Sequence, residues 1–261
     1  MTRSSSKSNR TFTVLMTIVF GFGIAFFVHK FYTPRTAETP STIIVGTSSD
    51  YPPFSFIADN KLVGFDIDVA TEAVKRLGKN IEIKDIPFEL LLPQTTLGTV
   101  HVIAADLAVT PEREKLVLFT NPYITNGPLV VLTPKDKLTL TKLEDLTDKR
   151  VVVIKGYTAD SYISDLAYLA VERVPNLADA VKALQAGNVD ALVTNADTIP
   201  TIFETYGQDT FATFVINDVN ENAALAVSKM YPELARELSI VIDQMNADGT
   251  LDQLKQKWHL Q

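Results

Sequence analysis

The sequence predicts an α/β fold in two parts, preceded by an N-terminal apolar segment, and three observations support this prediction. Short apolar runs alternate with amphipathic stretches from residue 42 onward, which is typical of a mostly parallel sheet flanked by helices. A second alternation of the same kind begins near residue 150. The chain has 261 residues, enough for one large domain or two of ordinary size. In such folds ligands bind beyond the carboxyl ends of the strands.

The first 32 residues indicate a signal or membrane-anchor segment. Arg3, Lys7 and Arg10 form a basic flank without an acidic residue, and residues 11–28 carry no charge. This span is longer than the usual signal-peptide core and close to the lower limit for a transmembrane helix. The basic flank should stay in the cytoplasm, so the rest of the chain should be exported. We favour an uncleaved anchor over a cleaved signal peptide, followed by a Pro- and Thr-rich linker at residues 33–41.

Composition excludes several classes of protein. The chain has no cysteine, which rules out disulfides and thiolate metal sites. After residue 41 there are 30 acidic and 19 basic side chains, a net charge of −11, whereas a nucleic-acid-binding surface needs positive charge. His29, His101 and His259 are scattered and no catalytic motif is present, so no metal, cofactor or catalytic site is predicted.

The first part of the body is predicted to run strand, helix, strand, helix, strand. An apolar stripe with the helical period, ended by Gly78, predicts the first helix. Thr47–Phe54 holds two prolines and two exposed-looking aromatic residues and is interpreted as a loop. The predicted strands are Thr42–Gly46, Ile81–Ile86 and Val100–Val109, and the predicted helices are 64–77 and Phe88–Leu97.

The third predicted strand leads into a helix-start signature. Thr110 is suited to cap the helix, and Pro111 fits its first position. A helix N-terminus presents free backbone N–H groups, and Arg113 adds a planar guanidinium that suits a carboxylate. We interpret residues 104–113 as a grip for the α-carboxylate of a small amino acid. The alternative is an ordinary strand-to-helix turn with a solvated arginine.

The second part repeats the alternation, and further elements follow it. Asn176 as a cap and Gly187 as a stop bound one amphipathic helix, and Pro232 marks the start of a longer one. The predicted strands are Leu129–Leu132, Arg150–Ile154, Glu172–Val174, Val189–Val193 and Ala223–Val227. The predicted helices are 159–169, 176–186, 231–246 and 251–258, with a short helical turn at 143–147.

Seven short stretches between residues 46 and 258 occur in the order and at about the spacing of one protein family. They are 46–54 (GTSSDYPPF), 64–68 (GFDID), 110–113 (TPER), 119–123 (FTNPY), 187–191 (GNVDA), 248–251 (DGTL) and 257–258 (KW). Each is weak alone. Together they resemble the periplasmic solute-binding proteins for polar amino acids, the extracytoplasmic receptors of ABC importers, across residues 42–261.

This resemblance implies two α/β lobes that are joined by two crossing strands and close on a ligand in the cleft between them. Lobe one then comprises residues 42–129 and 223–261, and lobe two comprises residues 134–217. The two hinge strands are expected near Leu129–Thr133 and Asn217–Leu225.

The resemblance also implies which residues bind the ligand. Arg113 matches the arginine that binds the ligand α-carboxylate. Thr158 matches a residue of the family's G-T-T motif at the start of a lobe-two helix; Tyr157 departs from that motif but leaves backbone N–H groups available. Tyr51 and Phe88 match two aromatic residues that flank the ligand side chain, a pair that suits a flat or cationic group.

Three positions depart from the family's pattern. Asn195 stands where an aspartate binds the ligand ammonium, and an amide cannot neutralise that charge. Asp106 and Ala108 stand where the family usually has Ser or Gly and Ser or Thr. We hypothesise that Asp106 replaces the missing acid; a salt bridge between Asp106 and Arg113 in the open state is a compatible alternative. Asp197 is the competing candidate.

Polar and acidic residues adjoin the two aromatic positions. Ser48, Asp50 and Glu89 would form an acidic rim, which favours a basic amino acid, arginine or lysine, over glutamine or histidine. The alternative is that Asp50 and Glu89 cap helices or face solvent.

We therefore expect a solute-binding protein, not an enzyme, that captures a polar, basic amino acid by hinge closure and delivers it to an ABC importer. Its expected partners are the free amino acid, the membrane subunits of the importer and the membrane through residues 11–28, with no nucleic acid. We expect a monomer in the periplasm or on the extracytoplasmic face of the inner membrane. Two alternatives remain open: a dehydratase-type enzyme that uses Asp106 or Glu89 as its acid, and a ligand-sensing ectodomain.

Overall fold

The computed structural model describes residues 37–136, 140–216 and 221–260. Contacts divide the chain into Met1–Ala37 and Glu38–Gln261, and the second unit contains every helix and strand described here. The predicted signal or anchor segment, residues 1–32, and the linker as far as residue 36 lie outside the described residues. In the described ranges, no helix combines the length and the apolar character needed to cross a membrane.

A five-stranded sheet organises the first large layer. In spatial order its strands are β5 (Asn80–Asp85), β1 (Thr42–Thr47), β6 (Val102–Ile103), β15 (Ala226–Ser228) and β7 (Val117–Phe119). Strand β1 is parallel to both of its neighbours, whereas β15 is antiparallel to both of its own, so the sheet is mixed. The helices that cover it are α1 (Phe65–Arg76), α2 (Phe88–Thr96), α7 (Pro232–Ala247) and α8 (Thr250–Lys257).

A second five-stranded sheet is formed by the middle of the chain. In spatial order its strands are β11 (Ala170–Val174), β10 (Arg150–Ile154), β12 (Ala191–Asn195), β9 (Leu129–Pro134) and β13 (Phe211–Ile216). Strand β10 is parallel to β11 and β12, and β9 is antiparallel to β12 and β13. The helical elements of this part are α4 (Thr158–Ser164), α5 (Leu177–Gln185), α6 (Ile199–Tyr206) and 3₁₀ turns at Leu143–Leu146 and Ala196–Thr198.

Two smaller sheets connect and edge these layers. Strands β2 (Asp50–Tyr51), β3 (Ser55–Ala58) and β4 (Lys61–Val63) form an antiparallel sheet inside and just after the predicted loop 47–54. Strands β8 (Ile124–Asn126) and β14 (Glu221–Ala223) pair as an antiparallel ribbon. The chain passes through β8 on its way from the first sheet to the second, and through β14 on its way back. The described residues therefore form two α/β layers, each consisting of one large sheet and its helices. The chain passes between them through two neighbouring strands, β8 and β14.

Side-chain caps fix two of the helix starts as the sequence predicts. The Thr110 hydroxyl accepts a hydrogen bond from the Arg113 backbone N–H, at 3.3 Å, at the start of α3 (Pro111–Glu114). The Asn176 side-chain oxygen accepts one from the Asp179 N–H, at 2.8 Å, at the start of α5. Each cap satisfies a backbone donor that the helix itself leaves unpaired.

The predicted strand Val100–Val109 is too long. Only Val102–Ile103 pair as a strand, and Ala108 makes an isolated bridge with Ala223. Between them, Asp106 has a left-handed backbone (φ 47°), which turns the chain out of the extended conformation. Residues 100–108 are buried, but the second half of the predicted strand is a loop that holds candidate site residues.

Other element boundaries also differ from the predictions. Helix α4 ends at Ser164, five residues earlier than predicted, because the chain must turn before β11 begins at Ala170. The predicted strand Leu129–Leu132 is confirmed within β9, whose side chains are buried, and the hinge role expected for Leu129–Thr133 stays a prediction. Part of the other expected hinge strand, residues 217–220, lies outside the described residues. No element is predicted for α6 or β13.

Candidate functional site

Arg113 lies where the two large layers meet. Arg113 is only 8% exposed to solvent. Nη1 donates to the Ala108 carbonyl at 2.8 Å, and Nη2 donates to the Gly156 carbonyl at 2.9 Å. Ala108 belongs to the loop after β6, and Gly156 follows β10 of the second sheet. The guanidinium therefore bridges backbone acceptors from both halves of the body, and its planar fork has the geometry to bind a carboxylate instead.

The turn that contributes Gly156 leads into helix α4. Gly156 has a φ of +81°, a conformation that favours glycine. Its N–H donates to an Asp160 side-chain oxygen at 2.9 Å, and the Tyr157 N–H donates to the Ile154 carbonyl at 3.2 Å. These two amides are thus engaged within the turn, and the predicted ligand-binding role of the helix start at Thr158 stays a prediction. Thr158 is the first residue of α4 and is half-buried.

Three aromatic rings meet beside this turn. The Tyr157 ring stacks on Phe88, with centroids 3.9 Å apart and planes at 20°, and packs on Tyr51 at 4.7 Å and 37°. All three residues are at most 9% exposed. Burial raises the pKa of the Tyr157 phenol well above its usual range, so the ring is neutral. The Tyr157 ring therefore contacts both of the predicted pocket aromatics, Tyr51 and Phe88.

The Tyr51 hydroxyl also reaches the second sheet. It lies 3.5 Å from the hydroxyl of Thr194, a residue of β12 that is 2% exposed. Asn195 follows at the end of β12, is also buried, and its carbonyl accepts a hydrogen bond from the Thr198 hydroxyl at 2.8 Å. Thr194 is therefore a polar partner of Tyr51 on β12.

Asp106 lies on the loop between β6 and Arg113 and is 4% exposed. Its backbone N–H donates to an oxygen of Asp66 at 2.6 Å. Asp66, in the first turn of α1, is fully buried and accepts a second hydrogen bond from the Tyr123 hydroxyl at 2.7 Å. Burial raises the pKa of Asp66 to about 7, against the opposing effect of these hydrogen bonds. A buried carboxyl thus fixes the left-handed loop on which Asp106 and Ala108 are carried.

Asp197, the competing acid, is engaged elsewhere. One of its oxygens accepts a hydrogen bond from the Gly127 N–H at 3.0 Å, between β8 and β9. It lines a separate cavity of about 300 Å³ together with His259 and Leu260. Burial raises the pKa of Asp197. Its side chain is thus bound to the backbone at the crossing between the layers.

A second cavity, of about 460 Å³, opens beside Phe88 and brings the predicted rim residues together. The Ser48 hydroxyl donates to Asp50 at 2.7 Å, and burial raises the pKa of Asp50. Glu89 is exposed and forms an ion pair with Lys155 at 3.7 Å. The residues that line this cavity are Ser48, Ser49, Asp50, Asp85, Pro87, Phe88, Glu89, Pro175 and Asn176.

Sequence reasoning missed two features of this region. It did not predict that Tyr157 would contact both pocket aromatics, although a bulky aromatic residue in place of the family's threonine was the available signal. It also gave no role to Asp66, whose only signal is a carboxylate at a position that helical periodicity leaves close to the core. Within the described ranges, no group of histidine, aspartate and glutamate side chains is suited to hold a metal.

Similarity to known proteins is strong across this body. The putative ABC transporter arginine-binding protein 2 of Escherichia coli K12 is 28% identical over 229 residues, covering 85% of this chain and 93% of that protein. A solved ancestral arginine-binding protein bound to arginine matches with a TM-score of 0.79 and 31% identity, covering 84% and 98% of the two chains. The ancestral amino acid-binding protein AncCDT-1, a precursor of cyclohexadienyl dehydratase, matches with a TM-score of 0.76 and 31% identity, covering 84% and 95%.

These similarities confirm the two-lobe periplasmic-binding fold and an extracytoplasmic solute-binding role. The relatives named above are binding proteins rather than enzymes. Residues 43–261 match a single family across almost the whole described body. The chain therefore belongs to the bacterial extracellular solute-binding proteins, family 3.

Proposed function

We propose that residues 42–261 bind a free polar amino acid, with a basic one favoured, and deliver it to the membrane subunits of an ABC importer. The relative from Escherichia coli is named an arginine-binding protein of an ABC transporter, and a similar ancestral structure holds arginine. The dehydratase alternative has less support, because the relative named as a precursor of a dehydratase is itself an amino acid-binding protein. A sensing ectodomain remains the other alternative.

The position of Arg113 is the observation that carries this proposal. Its buried guanidinium donates two hydrogen bonds to backbone carbonyls at the junction of the two layers. A carboxylate offers charge as well as acceptors, so it is a stronger partner than a neutral carbonyl. In the proposed complex, the ligand carboxylate replaces at least the Gly156 carbonyl, and the Thr158 end of α4 lies beside it.

The cavity beside Phe88 supports a basic side chain. Asp50 and Asp85 bring two carboxylates to its wall, and a cationic group there can stack on Phe88. Glu89 contributes less to this preference, because Lys155 already pairs with it. Arginine and lysine are the proposed ligands on this basis.

We assign the ligand ammonium to Asp106, with Asn195 and Ala108 as neutral neighbours. Asp106 lies on the same loop as the Arg113 partner Ala108, whereas Asp197 is bound to the Gly127 amide. In this arrangement one loop and the short helix after it hold both charges of the zwitterion.

We propose lobe one as residues 42–129 and 223–261, and lobe two as residues 134–217. The first sheet draws its strands from the former ranges, and strands β10 to β13 lie in the latter. The ligand favours closure because it contacts both lobes, and it can shift the open–closed equilibrium only by its differential affinity for the closed state.

We further propose that the protein is a monomer and that residues 1–32 anchor it to the inner membrane from the extracytoplasmic side or are removed as a signal. The basic flank and the uncharged residues 11–28 support this proposal. Membrane fractionation with N-terminal sequencing of the exported protein separates the two fates.

A thermal-shift screen of the purified full chain against the twenty amino acids tests the function. At a ligand concentration of about 100 Kd, binding should raise Tm by roughly 5–10 °C. Arginine or lysine should give the largest shift, and Arg113→Ala should abolish it. A screen in which no amino acid shifts Tm would contradict the proposal that the protein binds a free amino acid.

A further inference from the structure

Tyr157 reaches from the second sheet's side of the cleft to the two aromatic residues on the first. Its ring centroid lies 3.9 Å from that of Phe88 and 4.7 Å from that of Tyr51. Tyr51 belongs to strand β2, and Phe88 is the first residue of α2, whereas Tyr157 precedes α4. The ring is 7% exposed, so the contact is made at the expense of solvent and of any other occupant of this space.

The residue before Tyr157 engages the other half of the candidate site. The Gly156 carbonyl accepts a hydrogen bond from Arg113 Nη2 at 2.9 Å. The Gly156 carbonyl therefore provides an oxygen acceptor for the guanidinium. The Tyr157 ring provides a flat apolar group that contacts Tyr51 and Phe88. In the proposed function, an amino acid ligand presents the same two features, a carboxylate oxygen and a side chain.

The turn is held firmly in this position. Asp160 accepts a hydrogen bond from the Gly156 N–H, and Arg173 in turn holds Asp160 at 2.8 Å. The positive φ of Gly156 directs the Tyr157 side chain across the cleft without backbone strain. A stacked ring pair adds stability beyond the area that it buries. Hydrogen bonds within the turn and the ring contacts of Tyr157 thus hold the two halves of the body together at this point.

We propose that Tyr157 is a specificity-determining residue that occupies the side-chain subsite of the closed cleft in competition with the ligand. This inference rests on the proposed function. A long side chain such as that of arginine enters only after the ring has moved, so its apparent affinity is reduced by the fraction of molecules in which the subsite is open. A ligand without a long side chain does not meet this penalty.

A distance measurement without ligand tests whether the ring holds the cleft closed. Because the chain has no cysteine, cysteines at exposed Lys75 in α1 and Lys182 in α5 can carry two spin labels specifically. Tyr157→Thr should lengthen and broaden the distance distribution of the ligand-free full chain, and Tyr168→Thr, at an exposed tyrosine, should not. Threonine is a good N-cap residue, so α4 keeps its start. An identical distribution in Tyr157→Thr and the parent would overturn the proposal.

Calorimetric titration with arginine and with glycine tests the competition. Tyr157→Thr should bind arginine about tenfold more tightly than the parent chain, the size expected for removing one or two ring contacts. The gain for glycine should be much smaller. Weaker arginine binding in Tyr157→Thr would overturn the proposal, because the ring would then make a favourable contact with the bound ligand. If no amino acid binds any variant, the proposed function fails, and the spin-label distances still decide whether Tyr157 holds the cleft closed.

Discussion

Arg113 combines burial with two backbone acceptors that come from different halves of the body. Its N–H groups meet the Ala108 and Gly156 carbonyls at 2.8 and 2.9 Å. Neither of these two acceptors carries a charge, and a carboxylate makes a stronger hydrogen bond to a guanidinium than a neutral carbonyl does. This arrangement suits a residue that holds the cleft together without ligand and binds the ligand when it arrives.

Replacing Arg113 with lysine should raise the Kd for the amino acid ligand by about 10- to 100-fold, roughly 1.4–2.7 kcal/mol. An ammonium carries its three donors on one nitrogen and lacks the planar fork that donates two parallel hydrogen bonds to a carboxylate. Isothermal titration gives the Kd, with Arg236→Lys as the control, because Arg236 is exposed and pairs with Glu233 along α7. A Kd within twofold of the parent value for Arg113→Lys would contradict this role.

Asp106 and Asp197 make opposite predictions for the ligand ammonium. Asp106→Asn should weaken binding of a zwitterionic ligand by at least tenfold, because a buried ammonium would lose its counter-charge. Asp197→Asn should leave the Kd nearly unchanged, since Asp197 binds the Gly127 amide. Thermal unfolding of both variants checks that they remain folded. The reverse result would assign the ammonium to Asp197.

At the level of single residues, the sequence could predict local roles such as helix capping, but not which distant side chains come into contact. The Thr110 cap was predictable because capping depends on local geometry, and the structure confirms it. The contact of Tyr157 with Phe88 was not, because it joins residues 69 positions apart through two separate elements. The ligand-binding roles of Arg113, Tyr51 and Phe88 remain predictions that the proposed experiments test.

Helix α1 and the loop after β6 are joined by the buried carboxyl of Asp66. Both of its oxygens accept hydrogen bonds, from the Asp106 N–H and the Tyr123 hydroxyl, yet burial dominates and raises its pKa to about 7. The same element therefore positions the site loop and makes stability depend on pH.

The sign of that dependence follows from the raised pKa. Between about pH 4 and pH 7 the folded carboxyl keeps its proton while the unfolded one loses it, so the free energy of unfolding falls as pH rises, by at most about 1.4 kcal/mol per unit. The stabilisation is complete below the unfolded pKa and lost above about 7. Urea unfolding across this range should show the slope, and Asp66→Asn should flatten it. Asp252→Asn, at an exposed position in α8, should keep the slope; an unchanged slope in Asp66→Asn would contradict this assignment.

At the level of elements, sequence predicted those with a strong period and missed those whose pairing is distant. Helix α5 begins and ends within one residue of its prediction because Asn176 and Gly187 are local signals. The strand Val100–Val109 was overextended because nothing in an apolar run reveals the left-handed turn at Asp106. The pairing of β2 with β3 was hidden because a two-residue strand has no detectable period.

Over the whole molecule, the two large sheets differ in how the chain builds them. The second sheet uses one continuous stretch, Leu129 to Ile216, whereas the first has β15 (Ala226–Ser228) between β6 and β7. Val227 pairs with Val102, so the first sheet depends on a contact between residues 125 positions apart. Closing such a long loop is costly and slow.

The second sheet should therefore form first during refolding. Pulsed hydrogen exchange after dilution from urea should protect amides of β10 and β12 before those of β6 and β15. The reason is that the former pair within a short stretch of chain, while the latter wait for the C-terminal residues. Protection of all four strands in one step would contradict this order.

The ribbon of β8 and β14 has a consequence for how such proteins can be recombined. The chain enters and leaves its middle portion through two neighbouring antiparallel strands, Ile124–Asn126 and Glu221–Ala223, so that portion is inserted as a module with adjacent ends. Arg113 lies outside the module, and Tyr157 lies inside it. A graft that exchanges only this module between relatives would therefore keep Arg113, the proposed carboxylate-binding residue. It would replace Tyr157, the proposed specificity-determining residue, and would need only two engineered junctions.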